Sequence, residues 1–485
     1  MSRLVMGPFN RVEGDLEVSL DLAEGKVAAA WVNAPLYRGF EHILQGKAPA
    51  DALVIVPRIC GICSVSQSAA AASALAAAMG LTMPANGRLA RNLIQACENV
   101  ADHLTHFYLF FMPDFARPAY AGRPWFDATE ARFKATVGRA TAEVLPARGD
   151  FLRVLGYLAG KWPHTLAIQP GGTTRAVLAA EKIRLYAVLR EFRAFLERTL
   201  FGDRLEAVAA LDNAEALHAW SEGRSADFPR FLALARDLGL AQLGRGGSLF
   251  LSVGVYPGAE GQLGNFFPAG TWDQGSGLKG ELDLARVTED HSHAWLAGDA
   301  PVAPAQGTTQ PLPDKDGAYT WCKAPRYGGQ VAEVGALARQ LVAGHPLLRD
   351  LARRQGGGSV LSRVVARLME IAILVPAMES WVQHLVPGEP FCHHGTLPDN
   401  VQGVGLTEAA RGSLGHWLTV KEGRIASYQI VAPTTWNFSP RDAAGTPGAL
   451  EQALAGIPID AADTAPVAVQ HVVRSFDPCM VCTVH

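Results

Sequence analysis

Two Cys-x-x-Cys pairs stand at opposite ends of the chain. Cys60 and Cys63 lie in "RICGICS", and Cys479 and Cys482 lie in "DPCMVCTVH", which closes a sequence of 485 residues. Termini fray unless something ties them down, so a tail is a poor place for reactive thiols. A zinc ribbon sets its two knuckles ~15 to 20 residues apart, whereas most of the chain separates Cys63 from Cys479. A thioredoxin-like redox pair needs one motif at the start of a helix after a strand, and does not explain two. One metal site closed by both ends of the fold uses all four sulfurs, because soft thiolates select soft or borderline metals. That chemistry alone leaves zinc, nickel and iron open.

The remaining cysteines, Cys97, Cys322 and Cys392, are isolated and read as small apolar residues. Lys and Arg number 43 against 46 Asp and Glu, so no basic excess exists to neutralise phosphates, and nucleic acid is not an expected partner. The N-terminus has no apolar signal core, and the most apolar windows fall short of the roughly 18 to 20 residues a membrane crossing needs. No membrane span is expected, and the compartment is read as the cytoplasm.

Apolar and polar residues alternate around a Gly turn at 16–32 and again at 416–431, which predicts two β-hairpins. Long helical patterns run over 88–112, stopped by Pro113, and over 173–202 and 360–386. The stretch 64–80 is an alanine-rich helix with almost no polar face, so it must be packed on all sides. Gly/Pro-rich stretches at 256–277 and 301–317 predict long surface loops, and "GRGGS" at 244–248 lacks the third glycine of a dinucleotide fingerprint. The expected fold is α+β and predominantly helical, a central bundle of long helices with small β elements near both termini. It is read as one domain over 1–485, with β elements at about 1–35 and about 415–435.

The two cysteine motifs resemble the signatures of the [NiFe]-hydrogenase large subunit. So do "RVEG" at 11–14, "YRGFE" at 37–41, "ADHLTHFY" at 101–108, "TEAARGSLGHW" at 407–417 and "APTTWN" at 432–437, in the family's order. The resemblance implies heterolytic cleavage of H2 at a Ni-Fe(CN)2(CO) centre installed by maturation proteins. Cys60 and Cys479 would be terminal nickel ligands, and Cys63 and Cys482 would bridge nickel and iron. Cys479 would accept the proton and Glu13 would pass it on. Arg411 would hang over the metals, held by Asp102 and Asp477, while Thr434 would hydrogen-bond a cyanide. Glu41, the Ile430 carbonyl and His485 would bind Mg2+. Three leftover cysteines cannot hold an iron–sulfur cluster, which generally needs four ligands. A small subunit carrying the clusters is therefore an implied partner. Asn99, Asp102, His106 and Phe110 fall at i, i+3, i+7 and i+11, which predicts one inward stripe on the helix over 88–112.

Several positions depart from the family's common pattern. Gln67 replaces a histidine beside the bridging Cys63 sulfur, Ile62 stands where valine is common, and Phe110 where a smaller aliphatic residue is usual. Ile62 and Phe110 match positions lining the inner gas channel, so their bulk is expected to narrow it for O2. Ala410 replaces the proline that usually precedes the arginine. If the chain is also made without a C-terminal extension, these features together resemble the H2-sensing regulatory branch, with low turnover, O2 tolerance and a signal to a histidine kinase. A metabolic uptake hydrogenase is the alternative. A non-redox scaffold like the related respiratory complex I subunit would have lost the cysteines.

Overall fold

The computed structural model describes residues 2–258, 264–460 and 463–485. At the N-terminus β1 (Ser2–Met6), β2 (Glu17–Ala23) and β3 (Lys26–Asn33) form an antiparallel sheet. Alternation decides its orientation: Val18, Leu20, Ala30 and Val32 are buried, and the residues between them face outward or sit at the edge. The hairpin read at 16–32 is the second and third strands of this sheet.

The alanine-rich segment is α1 (Ser64–Met79), buried along almost its whole length. Its composition follows from what lies on it. A Cβ on Gly405 would stand 1.9 Å from the Ala70 carbonyl oxygen, and one on Gly403 would stand 2.2 Å from that of Ala74. Helix and strand therefore meet backbone to backbone, a distance that only Ala facing Gly permits. That strand is β8 (Val401–Ala409), paired with β9 (Gly412–Lys421), which pairs in turn with β10 (Arg424–Val431). The hairpin read at 416–431 thus belongs to a sheet that begins earlier, at Val401, than the sequence pattern indicated.

Helix α2 (Ala85–Thr105) passes into a π-helical turn at His106–Phe111 before the chain tightens ahead of Arg117. The extra residue per turn shifts the helix phase. Asn99, Asp102 and His106 are buried as the spacing predicts, but at the next level the fully buried ring is Phe111, and Phe110 is only half-buried. Helix α3 (Ala179–Phe195) likewise ends in a π turn, at Leu196–Phe201. The long α5 (Val360–His384) runs through Pro376 and packs on both α2 and α3. It is the centre of the expected bundle.

Part of the stretch read as a surface loop at 256–277 is strand. β4 (Leu249–Pro257), β5 (Asn265–Asp273) and β6 (Lys279–Gly280) form an antiparallel run, and β7 (Ala332–Glu333) joins β4 in parallel. Gly and Pro hide the alternation there, yet Phe267 and Trp272 are buried. The stretch at 301–317 is irregular apart from a single 3-10 turn at Pro304–Gln306. Between these sheets and the tail lie α4 (Ala336–Ala343) and α6 (Val467–Ser475). Among the described residues no helix is long and apolar enough to cross a membrane.

Candidate metal centre

Cys63 is the residue just before α1, and Cys60 precedes it in extended backbone. A helix N-terminus leaves its first amides without partners. Here the Val65 and Ser66 amides donate to the carboxylate of Glu98, on α2, at 2.9 and 3.0 Å. Ser64 Oγ, Ser66 Oγ and Trp162 Nε1 donate to it as well. Glu98 therefore fixes the point from which Cys63 projects.

The other pair arrives on the tail. After α6 the chain turns at Asp477, whose φ of 57° is left-handed, and Glu13 then pairs with Cys479 in a parallel bridge. Met480 N donates to the Glu13 carbonyl at 2.7 Å, Cys479 N to Thr434 Oγ1 at 3.1 Å, and Arg38 N to the Val484 carbonyl at 2.8 Å. His485 sets Nδ1 against the Cys482 carbonyl and Nε2 at 2.7 Å from that of Ile430.

These two constructions bring the sulfurs of Cys60, Cys63, Cys479 and Cys482 within 4.8 Å of one another, all buried. The sulfurs of Cys60 and Cys479, Cys63 and Cys482, and Cys479 and Cys482 stand 3.4, 3.2 and 3.0 Å apart, close enough for one centre that holds thiolates at about 2.3 Å. The donor set therefore fits a thiophilic metal centre at this point. Among the described residues no other group of three or more His, Cys, Asp or Glu side chains converges this way.

Arg411 projects from the two-residue turn that joins β8 to β9, in which Ala409 pairs with Gly412. Its Nη1 donates to Asp102 Oδ2 at 2.6 Å, its Nη2 to Asp477 Oδ1 at 3.0 Å, and its Nε to the Asp477 carbonyl at 3.0 Å. Burial opposes the charge, but Asp102, Asp477 and the neighbouring Cys479 and Cys63 hold the guanidinium protonated. Burial pushes the Asp102 carboxyl up to about 7 against the pull of Arg411. Asp477, equally buried, is held below the usual carboxylate range by Arg411, His106 and Arg367. Glu13 is half-buried, and burial and the neighbouring Cys60 push its carboxyl above the ordinary value.

Beside the tail lies a second polar cluster. Glu41 is fully buried, and although burial opposes it, Lys323 and His485 hold its carboxyl down to about 2. Lys323 Nζ donates to both Glu41 oxygens at 2.9 and 3.0 Å and to Gln429 Oε1 at 3.1 Å, and the Thr309 hydroxyl donates to Glu41. His485 Nε2 stands 3.5 Å from Glu41 Oε1. The Glu41 carboxylate, the Ile430 carbonyl and the His485 imidazole meet here, and the two oxygens are donors of the kind a hard cation takes, while Lys323 already sets a positive charge against both Glu41 oxygens.

Gln67 is buried one turn into α1, where its main-chain N–H donates to the Cys63 carbonyl at 3.1 Å. Its Oε1 accepts from His416 Nε2 at 2.9 Å, and His416 Nδ1 accepts from the Tyr428 hydroxyl at 2.8 Å. Ile62 is half-buried against the core. The Phe110 carbonyl accepts from Arg11 at 3.0 Å. Glu98, Lys323 and His416 were not singled out from the sequence, where nothing marks them, because the groups they bond lie far from them along the chain.

The sequence matches the family described as nickel-dependent hydrogenase over residues 38–132 and 119–485. It is 30% identical to the periplasmic NiFeSe hydrogenase large subunit of Desulfomicrobium baculatum, covering 100% of this chain and 95% of that one. The uptake hydrogenase large subunit of Rhodobacter capsulatus is 29% identical, with coverage of 100% and 95%. Among solved structures, the Ni-Fe-Se hydrogenase of Desulfovibrio vulgaris Hildenborough superposes with a TM-score of 0.85 at 31% identity, covering 100% of both chains.

Proposed function

The chain belongs to the nickel-dependent hydrogenase family as a large subunit, and from that premise we propose that it oxidises H2 in a metabolic uptake role. The observation that carries the reading is the convergence of Cys60, Cys63, Cys479 and Cys482 beneath the charged Arg411. Those four side chains would hold the nickel–iron centre, Cys63 and Cys482 as its bridging ligands. When bound, the centre supplies the Lewis acidity and redox capacity that polarise H2.

The protein's own groups handle the proton. Cys479 Sγ receives it inside a dry site, and the half-buried Glu13, whose backbone is bridged to Cys479, carries it towards solvent. Arg411, fixed by Asp102 and Asp477, supplies a positive charge that does not titrate in the working range. Thr434, with its hydroxyl on the Cys479 amide, orients both that cysteine and a cyanide of the iron. Glu41, the Ile430 carbonyl and His485 would hold Mg2+ where His485 ties the tail to the Ile430 carbonyl. Electrons leave to a small subunit bearing iron–sulfur clusters, since Cys97, Cys322 and Cys392 stand apart. We place the complex in the cytoplasm, loaded by maturation proteins; the Desulfomicrobium relative is named periplasmic, and fractionation tests the placement.

A second reading, an H2 sensor that signals to a histidine kinase, is favoured by Gln67, Ile62 and Phe110. The relatives carry names of uptake and periplasmic enzymes, which favours the metabolic role. Kinase autophosphorylation that responds to H2 when the purified complex is added would reverse that order. A further mark of the sensor branch is the narrowed channel: Ile62→Val with Phe110→Leu should then make H2 oxidation fail in air.

The central test is infrared spectroscopy of the purified two-subunit complex under H2, with metal analysis. Bands of one CO and two cyanides, with nickel and iron present, are the expected result; zinc without those bands would sink the reading. Glu13→Gln should keep the bands and the metals while H2/D+ exchange falls about 100-fold or more, the range for losing a positioned proton carrier. Unchanged exchange removes Glu13 from the relay.

A further inference from the structure

Arg339 lies in the middle of α4, is 0% exposed and uses every nitrogen it has. Nε and Nη2 donate to the two oxygens of Glu370 at 3.0 and 2.8 Å. Nη1 donates to Glu408 Oε2 at 2.8 Å. The remaining bonds go to main chain, from Nη1 to the Ala409 carbonyl at 2.8 Å and from Nη2 to the Ala410 carbonyl at 3.1 Å. Those two carbonyls immediately precede Arg411.

Buried carbonyls in a tight turn, and in the strand end that leads into it, need donors wherever the ladder supplies none, and side chains can also add a second donor to a ladder carbonyl. Here three consecutive carbonyls are met by buried side chains. Glu408 O accepts from Gln95 and Asn99 of α2, at 3.0 and 3.2 Å, and the next two accept from Arg339. The same guanidinium also reaches the other side of the Arg411 salt bridge. Glu370, which it holds in both arms, accepts from His103 Nε2 at 3.1 Å, and His103 is the neighbour of Asp102 on α2. Both members of the Arg411–Asp102 pair are thereby registered against one rigid, planar cation.

We infer that Arg339 is a positioning residue: it fixes Ala409 and Ala410, the end of β8 and the first residue of the turn, relative to α2, and so sets where the Arg411 guanidinium stands over the four cysteines. The inference rests on the role proposed for Arg411. It also accounts for Ala410. Proline at that position would preset φ at about −65° by its ring. Alanine leaves the turn freer, and the bond from Arg339 to its carbonyl supplies the restraint instead.

The experiment uses the metal-loaded two-subunit complex with Arg339→Lys, and Arg411→Lys as reference. A lysine keeps a cation between Glu370 and Glu408, but one nitrogen cannot serve two carboxylates and two carbonyls. The readouts are nickel and iron content, the infrared CO and cyanide bands, and H2/D+ exchange. Arg339→Lys is expected to retain the metals, shift the cyanide bands in the same direction as Arg411→Lys, and lose about tenfold to a hundredfold in exchange, the usual cost of a misplacement near 1 Å. A residue that only stabilises the fold would lower the melting temperature and leave the bands unmoved. Unshifted bands in Arg339→Lys beside shifted bands in Arg411→Lys overturn the inference. Unshifted bands in both overturn the reading of Arg411 itself. Should the lysine variant not retain metal, Glu370→Gln keeps the Arg339 charge while one carboxylate oxygen becomes a donor, which loosens the same clamp. A smaller shift in the same direction is then expected, and no shift there also overturns the inference.

Discussion

Cys60 and Cys63 enter the centre from the mouth of a buried helix, whereas Cys479 and Cys482 are delivered by a tail that has almost no regular structure of its own. The first pair is local. α1 is packed along its length, its opening amides are held by Glu98, and Cys63 is fixed by the helix that follows it. The second pair depends on partners from elsewhere in the chain, Glu13 and Arg38 hundreds of residues before it and Thr434 and Ile430 45 and 55 residues from their partners, and each contributes one or two hydrogen bonds. The first half of the site should therefore behave as part of the core, and the second as a clasp whose geometry fails without unfolding the rest.

Breaking the first half should cost global stability. Glu98→Ala removes the acceptor for two amides, two hydroxyls and the Trp162 indole, all at a buried helix end. Unsatisfied buried donors cost ~1 to 3 kcal/mol each where no water reaches them, and some relaxation is expected, so a loss of about 3 to 4 kcal/mol is the forecast. Urea unfolding of the purified complex should show a lower midpoint with an unchanged slope. A loss below about 1 kcal/mol would mean that α1 holds Cys63 without Glu98.

Breaking the clasp should cost metal rather than fold. His485→Ala deletes the contacts to the Cys482 and Ile430 carbonyls and one ligand of the cation cluster. Partners of this kind typically change metal affinity ~10- to 100-fold, equivalent to about 1.4 to 2.7 kcal/mol. Nickel retained against a competing chelator should fall by that factor, while the unfolding midpoint of the metal-free chain stays near the parent's. Equal loss in both measurements would erase the distinction between the two halves.

What could be read from the sequence follows the same division. The hairpins at both ends, the alanine-rich helix and α5 carry their signal in consecutive residues, so alternation and helical spacing located them. The four cysteines were legible because their motifs are short and specific. The π turn after Thr105 was not, because a one-residue phase shift leaves no mark in the apolar pattern, and it is why Phe111 rather than Phe110 completes the buried stripe. β5 was hidden by Gly and Pro, which a strand tolerates at bends and edges. Lys323, Arg339 and Glu370 look like ordinary charges on a loop and two helices. Only tertiary structure shows that each is buried with a matched partner.

The smallest expected effect concerns acid. Helix α6, which leads to Asp477, is fastened by Asp114: Arg474 Nη1 donates to its two oxygens at 2.9 and 2.7 Å, and Arg11 pairs with it from the N-terminal segment. Burial opposes the charge, but His471, Arg474 and Arg11 hold the Asp114 carboxyl far below the usual range. A carboxyl depressed in the folded state contributes its full stability above its unfolded value, near 3.9, and that contribution declines as pH falls further. By about pH 3 the loss from this one group should reach about 1 kcal/mol. Asp114→Asn lowers stability at neutral pH by leaving two arginines uncompensated, so the informative quantity is the slope. Between about pH 4.5 and pH 3, the parent should lose about 1 kcal/mol more than the asparagine variant. Proteolysis should detect the loosening of the tail before that of α1, because Asp114 fastens the clasp and not the core. Equal slopes would mean that folding does not shift the Asp114 carboxyl from its unfolded value, and that packing rather than its charge holds α6.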